Sequence, residues 1–275
     1  MGEILSFMAA PFVATLAIVV IHVYLGLHVI QREIIFVDLA LAQIAALGTT
    51  VAFILGIHPE QSLSYVFSLG FVVLGSGLFA VTRVREQKIP QEAIIGITYA
   101  VATAAAVLVA DRAPGGAEHI KEILTGAILW VHWPDIARIA VVYVVVGLIH
   151  YFFRHRFTRL TDHYRTGALS RRDRWWDFLF YLTFGFVIVL SVRIAGILLV
   201  FSFLVVPTSI AALYSNSWLG RLVFGWLVGV VVTVLGLYLS YVWDMPSGPA
   251  IVVLLGLFLI ALAAGRKWLP QRRAA

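Results

Sequence analysis

Two histidines, an aspartate and a glutamine stand inside runs that are otherwise apolar: His22, His28, Asp38 and Gln43. Imidazole and carboxylate are ligands that zinc, manganese and ferrous iron accept. A charged or polar side chain inside lipid is costly, and by default it marks a pathway or a buried partner. His22 and His28 are six residues apart, so they do not share one helix face. At 1.5 Å of rise per residue, two helices drawn antiparallel about the turn at 31–35 bring His22 level with Gln43 and His28 level with Asp38. These four are the candidate cation ligands. The plainer alternative makes Asp38 a helix cap at the headgroup level, in contact with water. For each histidine it is a hydrogen bond to nearby backbone. No His-x-x-x-His or Glu-x-x-His pair gives metal-ligand spacing. Glu118, His119 and Glu122 fall about one turn apart on a wet helix, and His150, His155 and His163 lie in or beside a basic loop.

The elements that must hold these groups are membrane helices. Of 275 residues, 61% are hydrophobic and 12% charged, against roughly 25% charged in soluble domains. A crossing needs about 20 mostly apolar residues, and the spacing predicts nine: 11–30, 36–56, 63–82, 91–110, 136–153, 178–195, 196–214, 222–242 and 248–265. All are helical, because lipid offers no partner to an open backbone. The expected fold is an all-α polytopic membrane protein in one domain, 1–275, with spans six and seven joined at Ala195-Gly196 almost without a loop. The start, Met1-Gly2-Glu3, has no basic leader, so the first apolar run reads as a retained span. No cysteine is present, which excludes disulfides and thiolate metal sites. The net charge of +6 reports topology and not nucleic-acid binding.

One set of loops carries 16 Lys and Arg, the other only Arg112 and Lys121, with Arg138 and Arg193 near span ends. The positive-inside rule then puts the N-terminus outside and the C-terminus in the cytoplasm. The outer connection predicts a short amphipathic helix over about 118–133, ending in Trp130 and Trp133. The inner loop, 154–176, holds seven arginines with Asp162 and Asp173, and Gly167 divides it into two short pieces. It reads as a basic segment that sets topology and touches anionic lipid, or as a docking platform for a cytoplasmic partner. Pro207 bends the seventh span, and Thr208 and Ser209 can satisfy the freed carbonyls. No Walker lysine, glycine-rich phosphate loop or Ser–His–Asp set is present, so no ATP hydrolysis or other enzymatic activity is expected of this chain.

Five patches in order resemble a known family. Arg32 precedes Asp38 by six residues; Glu92-Ala93-Ile94-Ile95-Gly96 opens the fourth span; Leu124-Thr125-Gly126-Ala127-Ile128-Leu129 fits the outer helix. The most specific block is Ser191-Val192-Arg193-Ile194-Ala195-Gly196-Ile197-Leu198-Leu199 with Pro207-Thr208-Ser209-Ile210-Ala211-Ala212, followed by Asp244-Met245-Pro246-Ser247-Gly248. The chain resembles the ABC-3 metal permeases, the membrane subunits of ATP-binding-cassette importers for zinc, manganese and iron. The resemblance implies a type II importer permease of the bacterial or archaeal cytoplasmic membrane. It implies a second permease copy as a homodimer, a separate cytoplasmic ATPase that binds the ATP, and an extracytoplasmic metal-binding protein. No cofactor is implied for this chain, whose metal is cargo. It also makes 154–176 the ATPase-coupling loop, with Arg159, Asp162, Arg165, Gly167 and Arg171 as coupling residues. The chain departs from the family pattern at Ala42, where a histidine usually follows the aspartate by four, with Gln43 beside it. Either His22 or His28 replaces that histidine, or the cargo is a different metal species such as a chelate. The rival reading is a secondary transporter or channel for cations that works without ATP.

Overall fold

The computed structural model describes residues 2–58, 61–83, 89–112, 115–126, 128–162, 164 and 170–266. Ten α-helices follow one another: α1 Gly2–Arg32, α2 Val37–Ile54, α3 Ser62–Thr82, α4 Gln91–Ala110, α5 Gly116–Thr125, α6 Trp133–Phe152, α7 Arg154–Asp162, α8 Arg171–Tyr214, α9 Trp218–Val242 and α10 Ser247–Arg266. Among the described residues a 3₁₀ turn, Ile128–Trp130, falls between α5 and α6. Eight of these helices are long and apolar enough to cross a membrane. Several starts carry a local stop signal for the preceding chain: Ser170 accepts from the Asp173 N–H ahead of α8, and Ser217 from the Gly220 N–H ahead of α9. Both satisfy a donor that the helix itself cannot.

Helix α8 has 44 residues, which straight would reach about 66 Å, twice the roughly 30 Å hydrocarbon core. It folds back at Gly196, whose φ of 77° and ψ of 159° are not helical. Asp177, early in α8, bonds Arg32 at the end of α1. Trp218, just past the end of α8, lies 4.8 Å from the His28 ring on the same stretch of α1. Gly196 meets the backbone of Thr125 and Gly126, at the opposite end of the bundle. The two arms of α8 are therefore two antiparallel crossings, which raises the total to the nine expected from the sequence. The joint at Ala195-Gly196 is where the sequence places it.

That reversal depends on glycine. Gly196 sits in a region of φ/ψ essentially restricted to glycine, and Gly126 also has positive φ, 65°. A Cβ on either would strike the backbone of the other segment.

Around this hairpin the bundle is organised by α8, which packs on α1, α2, α3, α6, α9 and α10. Phe180, Tyr181, Phe184, Val187 and Ile188 of its first arm are fully buried. Gly185 admits Val72 of α3, and Gly225 and Gly229 of α9 admit Val23 and Val19 of α1. Helices α4, α6 and α10 are mostly exposed and present Leu108, Val144 and Leu257 outward. In water so large an apolar surface would be a liability; on a membrane-spanning bundle it faces the acyl chains.

Gly196→Ala should lower the thermal unfolding midpoint of the detergent-solubilised protein, by roughly 1–3 kcal/mol of stability. Gly70→Ala, where a Cβ meets open space, should leave it unchanged.

Candidate functional site

Asp38 is the second residue of α2, and it is 1% exposed. Neither carboxylate oxygen has a hydrogen-bond partner. The alternative of a water-facing cap is not realised, since the α2 N-cap is Phe36 and no side chain caps it. That helix start is held from elsewhere: Glu92, at the start of α4, accepts the Phe36 N–H through Oε1 at 3.0 Å. Its Oε2 is buried without a partner.

Residues 38, 42, 45 and 49 follow one stripe of α2, by the 100° step of the helix. The stripe runs from the Asp38 carboxylate past the two methyls of Ala42 and Ala45 to Thr49, all buried. Eleven residues span about 16 Å. At the far end Thr49 Oγ1 lies 2.6 Å from Ser68 Oγ. Arg193 Nη2 donates to Ser64 Oγ at 3.0 Å and Ser68 Oγ at 3.3 Å, and its guanidinium stacks 3.7 Å from the Tyr65 ring centroid. One side of α2 thus carries a carboxylate at one end and borders an arginine at the other. Small side chains line the interval. Gln43 is also buried, but five residues on from Asp38 it points about 140° away.

The expectation that α1 and α2 lie side by side is corrected. The first arm of α8 stands between them: α1 packs on α6, α8 and α9, and α2 on α3, α4 and α8. The connecting turn, with Glu33 at φ 55° and Ile34 buried, carries the chain across α8 instead of back along α1. His28 therefore does not meet Asp38. Its Nδ1 lies 2.8 Å from Thr161 Oγ1 and its Nε2 3.2 Å from Tyr24 Oη, so both ring nitrogens are occupied. His150, which the sequence puts in or beside the basic loop, belongs to the same cluster through Tyr24 Oη at 3.2 Å and Thr183 Oγ1 at 3.0 Å. His22 stands apart. Its Nδ1–H donates to Ile18 O at 2.8 Å, which leaves the Nε2 lone pair buried and without a partner. Among the described residues, no three His, Asp or Glu side chains come close enough together to hold a metal ion.

The Arg32 end carries a second buried centre, which sequence reasoning missed. Asp177, 0% exposed, bonds Arg32 Nη1 at 3.2 Å through Oδ1 and Arg83 through Oδ2. Arg83 also donates to Tyr164 O at 2.8 Å and stacks on the Tyr164 ring. Arg32 donates through Nε to Thr161 Oγ1 at 2.9 Å and lies 3.9 Å from the Phe180 ring centroid. Burial pushes the Tyr164 phenol above its ordinary range, the Arg32 charge opposing. It remains a hydroxyl, 2.7 Å from Tyr181 Oη. The signal in the sequence was an acid directly ahead of an apolar run, with Arg32 and Arg83 at the ends of two other spans.

Of the expected coupling residues, Arg159 pairs with Asp173 at 3.4 Å, Asp162 accepts from Gln31 at 2.7 Å, and Arg171 is exposed at the start of α8. Arg165 and Gly167 lie outside the described residues.

A bundle of apolar crossings with an unpaired buried carboxylate, and with a basic platform fixed across one end, has the architecture of a membrane transporter. The profile of the ABC 3 transport family matches residues 4–265, and the chain belongs to that family. It is 28% identical over 218 residues to the manganese transport system membrane protein MntB of Synechocystis, a match covering 78% of this chain and 71% of that one. It is 26% identical over 168 residues to a Chlamydia muridarum protein named "probable metal transport system membrane protein". That match covers 61% of this chain and 57% of the Chlamydia protein's own length. The fold is similar to a solved structure, PsaBC from Streptococcus pneumoniae in complex with Fab, with a TM-score of 0.74 at 20% identity over 93% of this chain and 90% of that one.

Removing Asp177 strands two buried guanidiniums. Asp177→Ala should destabilise the protein by about 3–5 kcal/mol, the cost of breaking a buried pair from one side. Asp173→Ala, at a half-wet pair, should cost about 1 kcal/mol or less. Denaturant unfolding in detergent distinguishes the two.

Proposed function

We propose that the chain is the permease subunit of an ATP-driven importer and moves a divalent transition-metal cation, free or chelated, through the membrane past Asp38. The observation that carries this reading is the Asp38 carboxylate, buried with both oxygens unpartnered. An unpaired charge in a span is costly, by roughly 2.5–3.5 kcal/mol at the bilayer centre and less toward the edge. It is retained at least cost where a cation passes. A carboxylate suits zinc, manganese and ferrous iron, and the relatives named for manganese and metal transport support that class of cargo. His22, with its free Nε2 lone pair, is the histidine fit to add a ligand; His28 is committed to the Arg32 end. Because one chain gathers no three-ligand group among the described residues, a tight resident site is not expected from it alone. A second copy would bring further ligands to a shared path.

The ATP is hydrolysed by a separate cytoplasmic subunit docked on the 154–176 segment, and a binding protein delivers metal at the opposite face. Family membership supports this over a carrier or channel independent of ATP. The charge split of 16 against 2 supports an orientation with the Arg32 end and the C-terminus in the cytoplasm and the N-terminus outside, and family membership supports a bacterial or archaeal cytoplasmic membrane.

Asp38→Asn keeps the shape and removes the charge. In proteoliposomes holding the complete importer, ATP-driven manganese uptake should fall at least tenfold with assembly intact. The chain has no cysteine, so Arg172→Cys reports sidedness: an impermeant thiol reagent should label it only on the face where ATP must be supplied. Normal uptake by Asp38→Asn refutes the pathway, and labelling on the other face refutes the orientation.

A further inference from the structure

Around Thr161 the hydrogen bonds have a single direction, and both ends fix it independently. At one end, the Arg32 Nε–H can only donate, and it donates to Thr161 Oγ1 at 2.9 Å. The Thr161 O–H is then directed to His28 Nδ1, 2.8 Å away. His28 Nδ1 is an acceptor, so its proton is on Nε2 and is given to Tyr24 Oη at 3.2 Å. The Tyr24 O–H passes to His150 Nδ1, also at 3.2 Å. At the other end, the Thr183 O–H is engaged by the backbone carbonyls of Leu179 and Phe180, at 2.8 and 3.1 Å. Thr183 Oγ1 must therefore accept from His150 Nε2, 3.0 Å away, which in a neutral ring leaves His150 Nδ1 as the acceptor. The two assignments meet at Tyr24 without conflict. Both imidazoles are neutral, and both carry their proton on Nε2.

The relay crosses four helices: α1 (Tyr24, His28, Arg32), α7 (Thr161), α6 (His150) and α8 (Thr183). Thr161, His28, His150 and Arg32 are each 1% exposed, so the Arg32–Thr161–His28 bonds are shielded from water, while Tyr24 is half-buried. Of its members only Arg32 keeps an unpartnered buried atom, Nη2, and a buried network so nearly satisfied resists relative motion of its members. The apolar side agrees. Phe157, one turn before Thr161 on α7, is fully buried and stacks on the His150 ring at 4.2 Å and 11°. The buried ties of α7 to the spans thus include the Thr161 hydroxyl and the Phe157 ring, beside the exposed Gln31–Asp162 and Arg159–Asp173 contacts. Its outward face keeps Arg154 and Arg159 toward solvent.

We propose that Thr161 is a positioning residue that helps make α7 a rigid extension of α1, α6 and α8, so that displacement of α7 by the ATPase becomes displacement of the spans. This rests on the ATPase-docking reading above. Thr161→Val preserves shape and removes the hydroxyl, leaving Arg32 Nε and His28 Nδ1 buried without a partner; Thr161→Ser restores it. In proteoliposomes holding the complete importer, Thr161→Val should still bind the ATPase and hydrolyse ATP. Manganese moved per ATP should fall about fivefold or more, the factor that one buried hydrogen bond left unmade is worth, and Thr161→Ser should recover it. Tyr24→Phe, which cuts the relay between α1 and α6 without touching α7, should lower the same ratio and serves if Thr161→Val does not assemble. Nitrogen NMR of labelled histidine should show His28 and His150 protonated on Nε2 in the wild type, with the His28 signal alone changed in Thr161→Val. An unchanged ratio in both variants overturns the proposal, as does a parallel loss of hydrolysis and uptake that Thr161→Ser fails to rescue. A wild-type importer whose uptake does not depend on ATP overturns the docking reading itself, a result separate from either.

Discussion

Two guanidiniums and one carboxylate meet without water at the Arg32 end of the bundle. Arg32 closes α1, Arg83 follows α3, and Asp177 opens the buried part of α8. Desolvating three charges is expensive, and their attraction offsets that cost only with good geometry and extra hydrogen bonds. Here those come from Thr161 Oγ1, the Tyr164 carbonyl and two aromatic faces. The arrangement fixes where three spans end relative to one another. It also holds α7 and Tyr164 against the spans.

The opposite end is fixed by backbone and not by charge. Gly126 and Gly196 lie against each other with no side chain between them, and α8 turns back there in one residue. A charged cluster at one end and a glycine contact at the other hold the first arm of α8 at both ends. The stripe that carries Asp38 lies on α2, a helix held by α3, α4 and α8 and not by α1. The carboxylate thus sits on a different packing group from the His28–Thr161 relay. Glu92 fastens the start of α2 to α4, so the orientation of Asp38 follows α4 as much as the turn before it.

The spans were legible because lipid allows one solution for the backbone, and apolar runs of about 20 residues announce it. Even the doubled helix was readable, since 37 nearly unbroken residues from Phe178 to Tyr214 are too many for one crossing. The neighbours were not legible. Depth along a helix follows from residue number, whereas the choice of partner depends on where glycines permit approach, as at Gly185 and Gly225. That is why His28 and Asp38 share a level on paper but not a site. Asp177 and Thr161 were passed over for a related reason: a short polar residue near a span end looks like an ordinary edge, and only its partners from distant segments reveal its role. Asp38 was found because a carboxylate inside an apolar run has few inexpensive explanations.

On the proposed pathway the Asp38 carboxylate meets the transported cation. Infrared difference spectroscopy of the importer in nanodiscs, with and without manganese, tests it directly. The account predicts a shift in the carboxylate stretching bands on adding the metal, absent from Asp38→Asn and retained in Asp162→Asn. The same metal-induced carboxylate bands in wild type and Asp38→Asn would contradict it.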